Sequence, residues 1–228
     1  QKAVLTDYDS VLQVSSYELP NGVKVVLKPT DFKNDQIRFR GFSPGGISLY
    51  EDVDYPSARH ALSILDQSGL DTFRESELLQ LLSDQNVSVN PYLGSYEEGI
   101  SGSSNQEDLE TMFQLIYLYF TRPRIDSLAL AAYQKRQIDI YDRLDEDPRT
   151  AFGRMVIDKK YEYHPRRPNF SIEEFEAINL ARAEAIYRER FANAADFSFV
   201  FVGNFTRDSL MQFAAQYLGN LPVNNQAV

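Results

Sequence analysis

Two histidines, His60 and His164, are the only imidazoles in the chain, and there is no cysteine. Any metal chemistry must therefore be built from imidazole and carboxylate. His60 lies in YPSARHALSILDQSGL, residues 55–70, which reads as a helix. On a helix, positions four apart share one face, so two histidines at that spacing can hold one zinc ion. In the inverted pattern H-x-x-E-H, a glutamate just before the second histidine takes a proton from the metal-held water. Here the same positions read His60-Ala61-Leu62-Ser63-Ile64. Serine at 63 takes no proton from water at neutral pH without its own base, and isoleucine at 64 offers no lone pair. One imidazole alone does not hold zinc, so His60 reads as a packed, hydrogen-bonded side chain beside an apolar stripe. A reassembled site would need His164 together with an acid such as Asp139 or Asp142, and no spacing in the chain supports it.

Other candidates are weaker. HPRRPNF, residues 164–170, is a basic loop bounded by prolines. Arg166 and Arg167 are of the type that grips a carboxylate or an acidic partner surface, and a solvated turn is the simpler reading. RLDEDP (143–148) reads as the start of a helix and YEEG (96–99) as an exposed strand face. Serines are plentiful, but no nucleophile constellation is recognised: G-x-S-x-G is read as absent, and GSS at 102–104 is weak. PGG at 44–46 lacks the lysine and helix start of a phosphate loop.

The elements that must position these residues follow from length and patterning. The chain has 228 residues, 43% hydrophobic and 25% charged, enough to bury a real core. Its formal net charge of -10 argues against nucleic acid, which needs a basic face. No stretch has the apolar length of a membrane span. The chain starts at Gln1 without an initiator methionine, as an excised or processed piece would.

Residues 1–13 carry no pattern and read as peripheral. In YELPNGVKVVL (17–27), Asn21-Gly22 marks a hairpin turn, with Val23, Val25 and Leu27 alternating after it. QIRFRGFS (36–43) alternates again, with Ile37 and Phe39 inward and Arg38 and Arg40 outward. A helix starts near Pro56 and ends at Gly69, and a second starts at the capping-box pattern Thr72–Glu75 and buries Leu78, Leu79 and Leu82. Residues 86–104 read as two strands around a turn. Helices are expected over 106–120, 126–144, from Asp147-Pro148 onward, and over roughly 173–191. DFSFVFVG (196–203) reads as a central strand, followed by a last helix capped by Thr206 and ended by Gly219. This order implies an α+β fold, a mostly antiparallel sheet packed against several helices, in one domain over 1–228 with its core at about 14–222.

Taken together, LPNGVKVVL, SPGGISLYEDVDYPSARHALSILDQSGL, VNPYLGSYEEG, YRERFANAADFSFVFVGNF and YLGNLP occur in that order from Tyr17 to Pro222. Each piece is weak alone, and the ordered set is specific. It resembles one domain of the insulinase/pitrilysin family of zinc peptidases, nearest to the large bacterial members. The resemblance places the family's first zinc histidine at His60, its glutamate base at Ser63 and its second histidine at Ile64. The family's third ligand, a glutamate, falls within Gln137–Tyr141, where only Asp139 is acidic.

No catalytic, cofactor-binding or metal residue is carried over, and zinc is expected in the catalytic domain of a parent protein instead. The resemblance implies the third of four domains of a single-chain peptidase, with a structural role in a closed chamber for peptide substrates. The partners implied are the other domains of that polypeptide. In the strand matching VNPYLG, which pairs with peptide in active domains, Pro91 removes one backbone donor, so the strand reads as a plain sheet edge. The family's substrate-touching arginine–tyrosine pair belongs to the domain that follows and is absent here. The alternative is an interaction or scaffold subunit serving a separate catalytic chain. Periplasm or cell envelope is the compartment the resemblance favours.

Overall fold

The computed structural model describes residues 3–144 and 146–224. The elements run β1 (Val4–Asp9), β2 (Val14–Glu18), β3 (Lys24–Pro29), β4 (Ile37–Pro44), α1 (Tyr55–Ser68), α2 (Glu75–Leu81), β5 (Val87–Leu93) and β6 (Glu97–Ser104). They continue with α3 (Leu109–Thr121), α4 (Ser127–Leu144), α5 (Pro148–Lys160), α6 (Ile172–Glu176), α7 (Leu180–Arg190), β7 (Ser198–Gly203) and α8 (Arg207–Tyr217). The strands form one sheet in the order β1-β2-β3-β7-β4-β6-β5. Only the β3–β7 pair is parallel; the other neighbours run antiparallel. The α+β reading with a largely antiparallel sheet therefore holds.

Period-two patterning sets the faces of the sheet. Strand β4 alternates strictly, with Ile37 and Phe39 buried and Arg38 and Arg40 exposed. On the inner face, Phe201 stacks on Phe39 at 5.8 Å and on Phe113 of α3 at 5.3 Å, which joins the central strands to the helix layer. A second apolar cluster ties the helices to one another through Ala61 and Ile64 of α1, Tyr133 of α4, Phe175 of α6 and Ala183 of α7. The helix starts follow their caps: the side chains of Asp147, Asn179 and Thr206 accept N–H groups of Thr150, Arg182 and Ser209.

Four expectations need correction. Residues 4–9 are a strand, not unpatterned chain: β1 pairs with β2 at the sheet edge, but its apolar side chains are exposed, so no alternation marks it. The second helix starts at Glu75, with the Arg74 N–H donating to Glu77 Oε2 at 2.8 Å, so the capping pair sits two residues later than Thr72–Glu75. Leu79 on it is 65% exposed, because this seven-residue helix lies on the surface with Leu78 and Leu82 half-buried. The expected helix over 173–191 is two helices. Asn179 caps its own helix, and its N–H donates to Ser57 Oγ of α1 at 2.9 Å, which breaks the run between Glu176 and Leu180.

Candidate functional site

Helix α1 carries Pro56 in its first turn and ends at Gly69, whose φ of 89° lies in the region glycine favours. It presents one face to α4, α6 and α7, and His60 stands in the middle of that face, 2% exposed. Both ring nitrogens are engaged. Nδ1 lies 2.8 Å from the Tyr133 hydroxyl of α4, and Nε2 lies 3.1 Å from Glu174 Oε1 of α6. A neutral imidazole protonated on Nε2 satisfies all three groups: the tyrosine donates to Nδ1, and Nε2–H donates to the carboxylate. The rings of Phe170 and Phe175 close around it at 5.2 and 5.1 Å.

Glu174 is shared. Arg59 Nη1 stands 3.2 Å from the same Oε1 and also donates to the carbonyl of Arg167, while Arg59 Nη2 donates to the carbonyl of Pro168. The Arg59 guanidinium lies 3.9 Å from the centroid of the Phe170 ring. Burial pushes the Tyr133 hydroxyl above its ordinary pKa, opposed by a hydrogen bond with Ser63. Ser63, at the position of the expected base, thus serves the same tyrosine. Ile64 is fully buried in the apolar cluster, where a second ligand would have to stand.

The other sequence candidates are not brought to His60. Asp139 is exposed and paired with Lys135 at 3.1 Å along α4, and Asp142 faces solvent. His164 sits on an exposed turn, its Nδ1 accepting the N–H of Arg166 at 3.0 Å. Among the described residues, no three His, Asp or Glu side chains gather closely enough to hold a metal ion. The donor set at α1 does not fit zinc: one imidazole with both nitrogens occupied, a hydroxyl and an alkyl chain.

The loop 164–170 is not a solvated turn. Arg166 Nε donates to Asp52 at 2.7 Å and its Nη2 to the carbonyl of Tyr50 at 2.6 Å. Arg167 Nε donates to Asp158 Oδ1 at 2.7 Å. Both arginines are paired within the molecule: Arg166 fastens the loop to the segment before α1, and Arg167 fastens it to α5. In 143–148, Asp145 lies outside the described residues, and Asp147 caps α5.

Sequence reasoning missed Glu98. The YEEG stretch is not wholly an exposed face: Glu97 pairs with Arg40 in the open, but Glu98 is fully buried. Its Oε2 accepts the Gly46 N–H at 2.6 Å, and Arg190 Nη1 of α7 stands 3.9 Å from Oε1. Burial raises its pKa, as does Asp196; the Gly46 N–H, Arg190 and Ser43 oppose the rise. The available signal was parity with Ile100, which places position 98 on the core side of β6. The PGG loop is a lid on this carboxylate rather than a phosphate cradle. Gly46 has φ 75°, and a Cβ there would meet the carbonyl oxygen of Gly94 at 2.5 Å. GFSPG, residues 41–45, has the letters of a nucleophile elbow and was also passed over. Ser43 is buried in β4 opposite Glu98 and hydrogen-bonds the carbonyl of Pro44, so it is no nucleophile.

No protein-family model matches the chain. Over 222 residues it is 28% identical to a protein named zinc protease PQQL-like from Arabidopsis thaliana, covering 94% of this chain. The chain spans only 20–23% of the length of the curated relatives it matches. The fold is shared with the periplasmic protease PqqL from Escherichia coli, at TM-score 0.80 and 22% identity over 99% of this chain and 25% of that one. It is also shared with a peptidase M16 inactive domain from Pseudomonas fluorescens, at TM-score 0.71 and 17% identity over 95% of this chain and 53% of that one. With the ordered motifs from Tyr17 to Pro222, these likenesses support the resemblance of the chain to the insulinase/pitrilysin family, M16.

Proposed function

We propose that this chain is a non-catalytic structural domain of a longer zinc-dependent endopeptidase that degrades peptides. Residues 1–228 act in it as one domain, the third of four, forming part of the wall of a closed substrate chamber. The observation that carries this is the state of His60. Its two nitrogens are taken by Tyr133 and Glu174, and an apolar core side chain fills the position of a second ligand. Zinc belongs in this reading to the catalytic domain of the parent protein. The names of the relatives, zinc protease in each case, support it, as does the inactive domain with the same fold. The periplasmic PqqL supports a periplasmic location for the parent, and no helix among the described residues is long and apolar enough to cross a membrane.

The test is zinc analysis after dialysis, with a peptide-cleavage assay on the same sample. The expected result is substoichiometric zinc and no cleavage. One tightly held zinc per chain, with activity lost in His60→Ala, overturns the reading. A scaffold subunit working with a separate catalytic chain is distinguished by gene layout, since it requires an H-x-x-E-H motif in another reading frame.

A further inference from the structure

Helix α5 has no fully buried side chain. Its inward side carries Ala151, Arg154, Ile157 and Asp158, all half-buried, and Asp158 is held by Arg167 and Asn169. The outward side repeats at three- and four-residue spacing through Arg149, Phe152, Met155, Val156, Lys159 and Lys160. At 3.6 residues per turn these six share one face. Phe152 is 63% exposed, Met155 49% and Val156 46%. No Asp or Glu stands on that face, and among the described residues none of its three cations makes an ion pair; Lys160 only stacks near the Tyr161 ring.

Scattered exposed apolar residues need no explanation. Three bulky ones on a single stripe, with cations at both ends, are a helix face that lacks its partner. Its three cations make this face complementary to carboxylates. A two-fold pairing of α5 with itself would oppose cation to cation, which disfavours a symmetric dimer through this face. An anionic bilayer is disfavoured by the net charge and by the narrow apolar stripe.

We propose that the outward face of α5 is an interdomain docking surface. It takes an amphipathic helix whose apolar stripe is flanked by Asp and Glu, supplied by another domain of the same polypeptide. This rests on the reading of the chain as one domain of a longer peptidase. The apolar trio supplies buried area, and Arg149, Lys159 and Lys160 fix the register by pairing with the carboxylate rim.

The probe is a labelled synthetic helix with leucines on one stripe and glutamates beside them, titrated against the whole chain by fluorescence anisotropy. A second peptide carries lysines in place of the glutamates. The glutamate peptide is expected to bind at least about tenfold more tightly, and to weaken as salt rises. Phe152→Ser with Val156→Ser, and separately Lys159→Glu with Lys160→Glu, each lower its affinity about tenfold with the circular dichroism spectrum unchanged. Equal affinity for both peptides, or no effect of either variant pair, overturns the proposal. So does a dimer in sedimentation that Phe152→Ser dissolves, or binding to phosphatidylserine vesicles that Lys159→Glu with Lys160→Glu abolishes. Failure of the peptide to bind removes the docking surface and leaves the zinc and cleavage results untouched. Zinc-dependent cleavage by this chain removes the functional reading whatever the peptide does.

Discussion

Glu174 on α6 reaches across to His60 on α1 with 3.1 Å between Oε1 and Nε2, and Arg59 completes the contact from the preceding position of α1. A carboxylate from a neighbouring helix thus takes the valence of the imidazole that a metal would use. The imidazole is part of the packing between α1, α4 and α6.

His60→Ala therefore acts on stability. It removes a buried ring and leaves the Tyr133 hydroxyl without its acceptor, while Arg59 continues to hold Glu174. A loss of about 2–4 kcal/mol is expected, read from urea unfolding midpoints, with zinc content unchanged. A loss below about 1 kcal/mol would show that the contact is not part of the core.

Writing H-x-x-E-H into α1 is not expected to create a metal site. Ile64→His places an imidazole among Ala61, Tyr133 and Phe175, at an expected cost of about 1–3 kcal/mol for the unpaired polar group. Adding Ser63→Glu leaves the Nδ1 and Nε2 of His60 still engaged. Calorimetric titration of the double variant with zinc should show no tight site, and a one-to-one tight site would contradict this account of His60.

Two glycines separate backbone necessity from tolerance. Gly46→Ala must hold φ near 75° with its Cβ against the Gly94 carbonyl, and is expected to cost about 2 kcal/mol or more. Gly153 lies inside α5 with nothing within 4 Å of an added Cβ. Gly153→Ala is expected to stabilise by about 0.5–1 kcal/mol. Thermal melts of the two variants should move in opposite directions.

Glu98 gives the pH dependence its sign. Burial raises its folded pKa above the unfolded value, so the native state holds the proton more tightly. Its favourable contribution is present below the unfolded carboxylate pKa and is lost as pH rises through the folded one. Glu98→Gln removes this titration, so the stability of the variant relative to the parent protein should rise with pH across that window. Urea midpoints measured on both proteins at a series of pH values check it, and a relative stability that falls instead would reverse the assignment.

Much of this was legible in the chain. The strict alternation of Ile37 to Phe42, the apolar spacing of Leu109 to Ile116, and the capping residues Asp147 and Thr206 located their elements because the signals are local. That His60 has serine at 63 and isoleucine at 64 was equally plain, since residue types need no structure to be read. The partners of His60 were not legible: Tyr133 and Glu174 lie on other helices, and nothing near either residue marks it. The same holds for Arg166 and Arg167, whose acceptors Asp52 and Asp158 are fixed only by the fold. Strand β1 escaped because Val4, Leu5 and Tyr8 are all exposed, leaving no burial period to detect.

The parallel pairing of β3 with β7 bears on how this chain is made. Strand β7 sits between β3 and β4, although it is the last strand in sequence. The early strands cannot close upon each other, because the slot between them is reserved for a segment near the C-terminal end. Without β7 the strands β1-β2-β3 and β4-β6-β5 are not paired with each other, and joining β4 to β7 closes a loop of more than a hundred residues. Slow assembly that waits on β7 is the expected kinetic signature of such wiring.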